Sequence, residues 1–324
     1  FTRVIKKSQQ RLGSQKIIVD NIQITTPRYP KFEYGDEVKI VGTINLPPPE
    51  ASNYFAKEGI VGLMSFPEIT VLAQNQGSSI KATLFKIKDF FETSFHKALP
   101  APQAAFLSGL TLGDTAQFDD EFKEAMRLSG TSHLVALSGY NIGIIVRSLT
   151  LILSGWWLTK RLKFPIATLF VLGFVVMAGA EASVVRAAIM AGLILLAEKT
   201  GRAFYLRNAI AAAALAMTLF NPRILVFDAG FQLSFVALLG LVYLRPFLQK
   251  WLWMNEGPGF LQWREHFLNT TAAQLAVLPL LLLQFGFFSP LGILSNILIL
   301  EFIPITMALG FFIGFAAIFS GTLA

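Results

Sequence analysis

The chain has 324 residues, 54% hydrophobic and only 15% charged, where ordinary soluble domains carry about 25% charged residues. Together with a mean hydropathy of +0.57, this excludes a soluble single domain and a disordered chain. The balance of 27 Lys and Arg against 20 Asp and Glu is modestly basic, and the lack of Cys excludes a disulfide framework, a thiolate nucleophile and a Cys-ligated metal.

Residues 1–100 hold 13 Lys/Arg and 9 Asp/Glu, an ordinary charge density, and the remaining chain is far sparser. Three stretches in this part, 16–25, 37–46 and 60–72, are rich in Val, Ile and Thr with partial alternation, and read as strands. Gly35-Asp36 marks the turn before the second, and Pro47-Pro48-Pro49 ends it. A small antiparallel β-barrel or sandwich fits, an OB-like barrel best. A helical stretch over 81–99 leads onward. The opening at Phe1, without Met or signal peptide, reads as a fragment or processed product.

Residues 101–132 are not a plain membrane span. Pro102 suits a helix start and Gly113-Asp114 a stop. From Phe118 to Leu128, Phe118, Phe122, Ala125 and Met126 share one face, with Asp119, Asp120, Glu121, Lys123 and Glu124 largely elsewhere. This predicts an amphipathic helix closed by Gly130, lying at an interface or packed as a surface helix.

From His133 onward seven hydrophobic segments follow: 134–158, 164–180, 183–197, 209–220, 224–244, 267–285 and 291–319. The third and fourth are short against the roughly 20 residues a span needs. One set of alternate loops carries nine basic residues (Lys160, Arg161, Lys163, Lys199, Arg202, Arg207, Arg245, Lys250, Arg264), and the opposite set only Arg223. The positive-inside rule then puts the first set in the cytoplasm and the N-terminal module outside. The expected fold class is a polytopic α-helical membrane bundle with some short or discontinuous segments. It carries an N-terminal all-β OB-like exterior domain over 1–100, interfacial helices over 101–132 and a transmembrane domain over 133–324.

Polar groups in membrane spans are costly and need a reason. The run from Ser129 to Gly143 interrupts an apolar stretch with Ser138, Gly139 and Asn141. Such a break sits where it is packed by protein or lines a wet cavity. Arg186 begins a helix rich in small residues, with Asp228 as its expected partner across the bundle or snorkelling as the rival. Asp228 and Gln232 stand one turn apart on one face, followed by Ser234. Gln274, Asn296 and Glu301 supply the remaining intramembrane polar groups. Either they share a polar interior or they are scattered structural contacts. His96, His133 and His266 show no metal-ligand spacing, and no metal or cofactor is expected.

These motifs, taken in order, resemble the membrane core of the ComEC family of bacterial competence channels. The residues are Leu110-Thr111-Leu112-Gly113-Asp114, Ser129-Gly130-Thr131-Ser132-His133-Leu134 through Ser138-Gly139, and Arg186-Ala187 with Met190. Phe231-Gln232-Leu233-Ser234-Phe235, Gln274-Leu275-Ala276 and Leu294-Ser295-Asn296 continue the series. Gly35-Asp36-Glu37-Val38 and the run from Tyr54 to Ile60 also look like the family's OB-like domain. The chain departs where the family usually has Ser-Gly-Leu-His and this sequence has Ser138-Gly139-Tyr140-Asn141. Asn cannot accept a proton as His can. The metallo-β-lactamase-like nuclease domain of many relatives has no HxHxDH-type counterpart here, and the family's early spans are absent too.

The resemblance implies a channel, not an enzyme, for inward passage of single-stranded DNA, with a DNA receptor outside and a motor or DNA-binding proteins in the cytoplasm as partners. The expected path, set in membrane lipid, is His133, Ser138, Asn141, Arg186, Asp228, Gln232, Gln274 and Asn296. Lys6, Lys7, Arg11, Lys16, Arg28 and Lys31 are candidates for weak phosphate capture, or else an ordinary solvated face. Two other readings compete: a transporter of another envelope substrate, and an intramembrane hydrolase using Ser138 with His133.

Overall fold

The computed structural model describes residues 2–11, 13–49, 52–135, 137–155, 160–253 and 262–320. The N-terminal part is a six-stranded half-barrel in the order β5-β3-β2-β1-β4-β6. Strand β1 (Thr2–Gln10) holds it together. Its first residues pair with β4 (Glu37–Val41) and the rest with β2 (Ser14–Val19), across a register shift between Ile5 and Lys7. That shift lets one strand bend through two sheet directions. Ile5, Ile17, Val19, Ile24, Phe32, Val38, Ile40 and Met64 fill the interior. Each such side chain contributes about 1.5–3 kcal/mol by burial.

Two of the expected strands prove to be hairpins or turns. The stretch 16–25 is divided into β2 and β3 (Ile22–Pro27), because Asp20 takes a left-handed conformation (φ 53°) and reverses the chain. The stretch 60–72 likewise splits at Phe66 (φ 50°) and Pro67 into β5 (Gly62–Ser65), parallel to β3, and β6 (Glu68–Ala73), antiparallel to β4. Helix α1 (Ser52–Glu58) precedes β5.

Helix α2 (Ser79–Ala98) agrees with the expected 81–99 stretch and joins the module to the bundle. Phe91 makes edge contacts with Phe95 on α2 and with Phe311 and Phe315 on the last helix, α15 (Ile303–Ser320). Next comes α3 (Ala101–Leu112), ended by Gly113 in the left-handed region, then α4 (Asp120–Ser129). The Asp119 carboxylate accepts from Phe122 N at 2.7 Å as the N-cap of α4, and Gly130 closes it. Its apolar face buries Met126 against Ala105, Phe118 and Val135.

The remaining chain is helical: α5 (Ser132–Val135), α6 (Gly139–Gly155), α7 (Lys160–Met177), α8 (Ala182–Thr200), α9 (Leu206–Phe220) and α10 (Ile224–Phe227). Helix α11 (Ala229–Leu239) runs through a π-turn into α12 (Arg245–Trp251), α13 is Trp263–Phe285, and α14 (Leu291–Ile299) passes through a 3₁₀ turn into α15. Leu110, Leu137, Ile142, Phe174, Val184 and Met307 pack together, so α3, α6, α7, α8 and α15 share one core.

Among the described residues, three helices are long and apolar enough to cross a membrane: Ala229–Trp251, Trp263–Phe285 and Leu291–Phe319. Gly139–Leu153, Leu162–Met177 and Leu206–Phe220 are apolar but shorter. The expected segment 134–158 begins instead with a break between α5 and α6. Residue 136, the end of that segment from 156, and residues 254–261 lie outside the described residues.

Candidate functional site

The break between α5 and α6 frees backbone carbonyls, and side chains take them up. Asn141 Nδ2 donates to Leu110 O at 3.1 Å and to Leu134 O at 3.4 Å, while its Oδ1 accepts from Ser138 Oγ at 3.1 Å. Ser183 Oγ donates to Leu137 O at 2.6 Å. Asn141 is buried and its carboxamide is occupied on both sides. Ser138 and Asn141, both expected on the path, are engaged in satisfying the interrupted helix. Sequence shows a polar interruption but not where its carbonyls go.

Arg186, on the first turns of α8, is 7% exposed, with its guanidinium stacked over Phe235 at 5.8 Å and Nη1 lacking any hydrogen-bond partner. It does not pair with Asp228. That carboxylate instead meets Lys57 Nζ of α1 at 3.2 Å and accepts from Phe231 N at 3.2 Å, as the N-cap of α11. The expected pair fails because Asp228 sits at a helix end turned toward the β-rich module, where Lys57 reaches it first. Gln232 also turns away from Asp228: its Nε2 donates to Leu225 O at 2.8 Å and to Val226 O at 3.2 Å, and its Oε1 accepts from Gln284 Nε2.

Gln274 and Asn296 resemble Arg186 in one respect. Gln274 Oε1 and Asn296 Oδ1 are buried without a hydrogen-bond partner, as is Thr271 Oγ1 on the same helix as Gln274. Gln274 lies against the start of α14, where a methyl on Gly292 would stand 2.5 Å from Gln274 Nε2 and 3.4 Å from Gly130 O. Ser289 Oγ donates to Leu128 O at 2.5 Å, so the α4 end, α13 and α14 meet at one point. His133 is exposed on α5, and Ser138 Oγ is given to Asn141, so no Ser138–His133 hydrogen bond forms among the described residues.

The six basic residues of the module do not make one face. Lys16 is buried, donates to Tyr54 Oη at 2.8 Å and has its pKa lowered first by that burial. Lys6 pairs with Asp20 at 3.2 Å, and Lys31 with Asp89 at 3.4 Å and Glu33 at 3.5 Å. Lys7 is half-buried near Gly179, and Arg11 and Arg28 are exposed. Arg28 and Lys31 do help line a cleft of about 540 Å³ between module and helices, with His96, Asp89, Glu92 and Asp119.

Sequence reasoning passed over a second cluster. Lys88 Nζ lies 3.2 Å from Asp114 Oδ2 and 3.6 Å from Glu92 Oε1. Burial first, then the neighbouring Asp114 and Asp89, push the Glu92 carboxyl up to about 8, with Lys88 pulling the other way. Asp114 also accepts from Ala116 N at 2.9 Å. His266 and Glu301 form another pair at 3.1 Å, joining α13 to the 3₁₀ turn. Arg147, exposed on α6, is a charge within an apolar helix that the loop count misses. Among the described residues, no three His, Asp or Glu stand together as a metal site.

The ordered motifs and the broken α5–α6 helix have a match: the family model described as Competence protein covers residues 110–324. The chain belongs to that family. Within it, ComE operon protein 3 of Bacillus subtilis (strain 168) is 29% identical over 228 residues. That alignment covers 70% of this chain but 28% of that protein, so the chain spans well under a third of its relative's length. No solved structure matches the chain. The family match takes in Arg186, Asp228, Gln274 and Asn296 and leaves the half-barrel outside it.

Proposed function

We propose that this chain is the membrane core of a DNA-uptake channel, passing single-stranded DNA inward across the bacterial plasma membrane in natural transformation. One observation carries the reading. Arg186 Nη1, Gln274 Oε1 and Asn296 Oδ1 are buried on α8, α13 and α14 without hydrogen-bond partners, in an apolar bundle of the Competence protein family. Each unsatisfied group of this kind costs about 1–3 kcal/mol; the Arg186 donor calls for an acceptor such as a phosphate oxygen, and the two amide oxygens call for donors such as base amino groups. The chemistry asked of them is guidance of a strand, Arg186 toward its phosphates and the two amide oxygens toward donors on its bases, with no bond cleavage.

In this reading the half-barrel is an OB-like module outside the cell, as the nine-to-one loop charge bias supports. It receives strand from an exterior DNA receptor, and a motor or DNA-binding proteins draw it in on the cytoplasmic side. Asp228, Gln232, Ser138 and Asn141 shape the path without lining it. The test is uptake of labelled DNA by a deletion strain, with and without the restored gene. Loss on deletion and recovery on restoration support the channel. Normal uptake by the deletion strain overturns it and favours the transport of another envelope substrate.

A further inference from the structure

We propose that the N-terminal end of α6 and the Arg186 guanidinium together form a binding site for one phosphodiester group. The guanidinium lies against the first residue of that helix: a methyl on Gly139 would stand 3.2 Å from Arg186 Nη2 and 3.9 Å from Ala187 Cβ. Glycine at 139 is thus what lets the cation approach the helix end. The amides of the first helical turn have no acceptor within the helix. Ser138 Oγ donates to Asn141 Oδ1 at 3.1 Å and accepts from Asn141 N at 3.5 Å, so it caps only the third amide of the helix. Among the described residues, the amides of Gly139 and Tyr140 meet no side-chain or loop acceptor.

Two positive features therefore stand side by side, one of them buried. A helix N-terminus carries roughly half a positive charge, and beside it stands a full guanidinium, 7% exposed, with Nη1 unpartnered. The carboxylate expected to neutralise it, Asp228, is held by Lys57 at 3.2 Å. A buried cation without counter-charge is strongly unfavourable. An anion with two oxygens resolves both problems, one oxygen on the α6 amides and the other on the planar guanidinium fork. Ser138 and Gly139 are half-buried and Tyr140 is exposed, so the helix end is reachable while the cation stays sheltered. A phosphodiester, singly charged with two free oxygens, has this chemistry. That it belongs to a DNA strand in passage rests on the channel reading above; that the site takes a phosphate-type anion does not.

The experiment titrates the full chain, purified in a phosphate-free maltoside detergent, with a short oligothymidylate and with its uncharged methylphosphonate analogue. The charged oligomer should bind about tenfold or more tightly than the analogue. Arg186→Gln should erase that preference, and Arg186→Lys should restore part of it. Gly139→Ala keeps the charge but crowds the guanidinium, so it should weaken binding several-fold with unchanged circular dichroism; it serves if Arg186→Gln fails to fold. Equal binding by wild type, Arg186→Gln and Gly139→Ala overturns the site. Stabilisation by short-chain phosphatidylglycerol, with none by oligothymidylate, gives the site to a lipid headgroup and overturns its assignment to DNA. Normal uptake in cells carrying well-expressed Arg186→Gln, where deletion abolishes uptake, overturns the site and leaves the channel standing. Binding lost in Arg186→Gln while deletion leaves uptake intact does the reverse.

Discussion

Lys57 and Asp228 meet at 3.2 Å across the junction between the β-rich module and the helical bundle. Lys57 is part-exposed on α1, whereas the Asp228 side chain is almost fully buried at the start of α11. One carboxylate oxygen serves both the cation and the cap, since Oδ1 also accepts from Phe231 N at 3.2 Å. Docking of the module and ordering of a bundle helix therefore depend on the same atom.

The two roles separate by substitution. Asp228→Asn keeps an oxygen for the cap and loses the charge, while Asp228→Ala loses both and should cost a further 0.5–2 kcal/mol or so. Lys57→Ala leaves a buried carboxylate unpaired, and combining it with Asp228→Asn should recover stability. A coupling energy of about 0.5–3 kcal/mol is expected from a double-mutant cycle on unfolding in detergent. Strict additivity of the two changes would remove the coupling.

Asn141 tests the packing of the helix break. Its carboxamide serves Leu110 O, Leu134 O and Ser138 Oγ. Asn141→Ala strands these groups, for a loss of about 1–3 kcal/mol, and should lower the thermal midpoint measured in detergent. Unchanged stability with impaired uptake would instead return Asn141 to the path itself.

The features legible in sequence were those written in local periodicity. Helix α4, with its Asp119 cap and Gly130 stop, was readable because charge and apolar residues separate at a helical spacing. Helix α2 was readable for similar reasons. The β2–β3 hairpin was not, because a short turn at Asp20-Asn21 hides inside a continuous β-rich run. Strand β1 was missed because Lys and Gln fill its exposed and half-exposed positions. At the candidate site, sequence picked out Arg186 as costly but could not pair it. Its neighbours Gly139 and Phe235, and the capture of Asp228 by Lys57, are products of tertiary packing between distant segments. The same limit hid Glu92, whose carboxyl is pushed up first by its burial and then by the neighbouring Asp114 and Asp89, against the pull of Lys88.

Glu92 carries a pH prediction. Its folded pKa, about 8, lies above the ordinary carboxylate value of 4.5. Between these values the folded chain holds a proton that the unfolded chain has released, so stability falls as pH rises through the window and levels off above about 8. With Glu92 neutral, Lys88 and Asp114 remain as a balanced pair at 3.2 Å. Glu92→Gln should flatten this part of the stability profile and be the more stable form at high pH. A wild-type profile that rises from pH 5 to 8, unaltered by the substitution, contradicts the assignment.

The proposed orientation makes a final prediction, for which the structure also selects the probes. Lys57 is a poor labelling position because it is held by Asp228. Arg11 and Arg28 are exposed on the module, and Arg202 is exposed beyond the end of α8. In cells stripped of their wall, an impermeant maleimide should label Arg11→Cys and Arg28→Cys but reach Arg202→Cys only after lysis. The chain has no Cys of its own, so no background labelling competes. The opposite pattern would invert the bundle. A positively biased loop set would then face outward against the membrane potential, and the half-barrel would meet the strand on exit instead of entry.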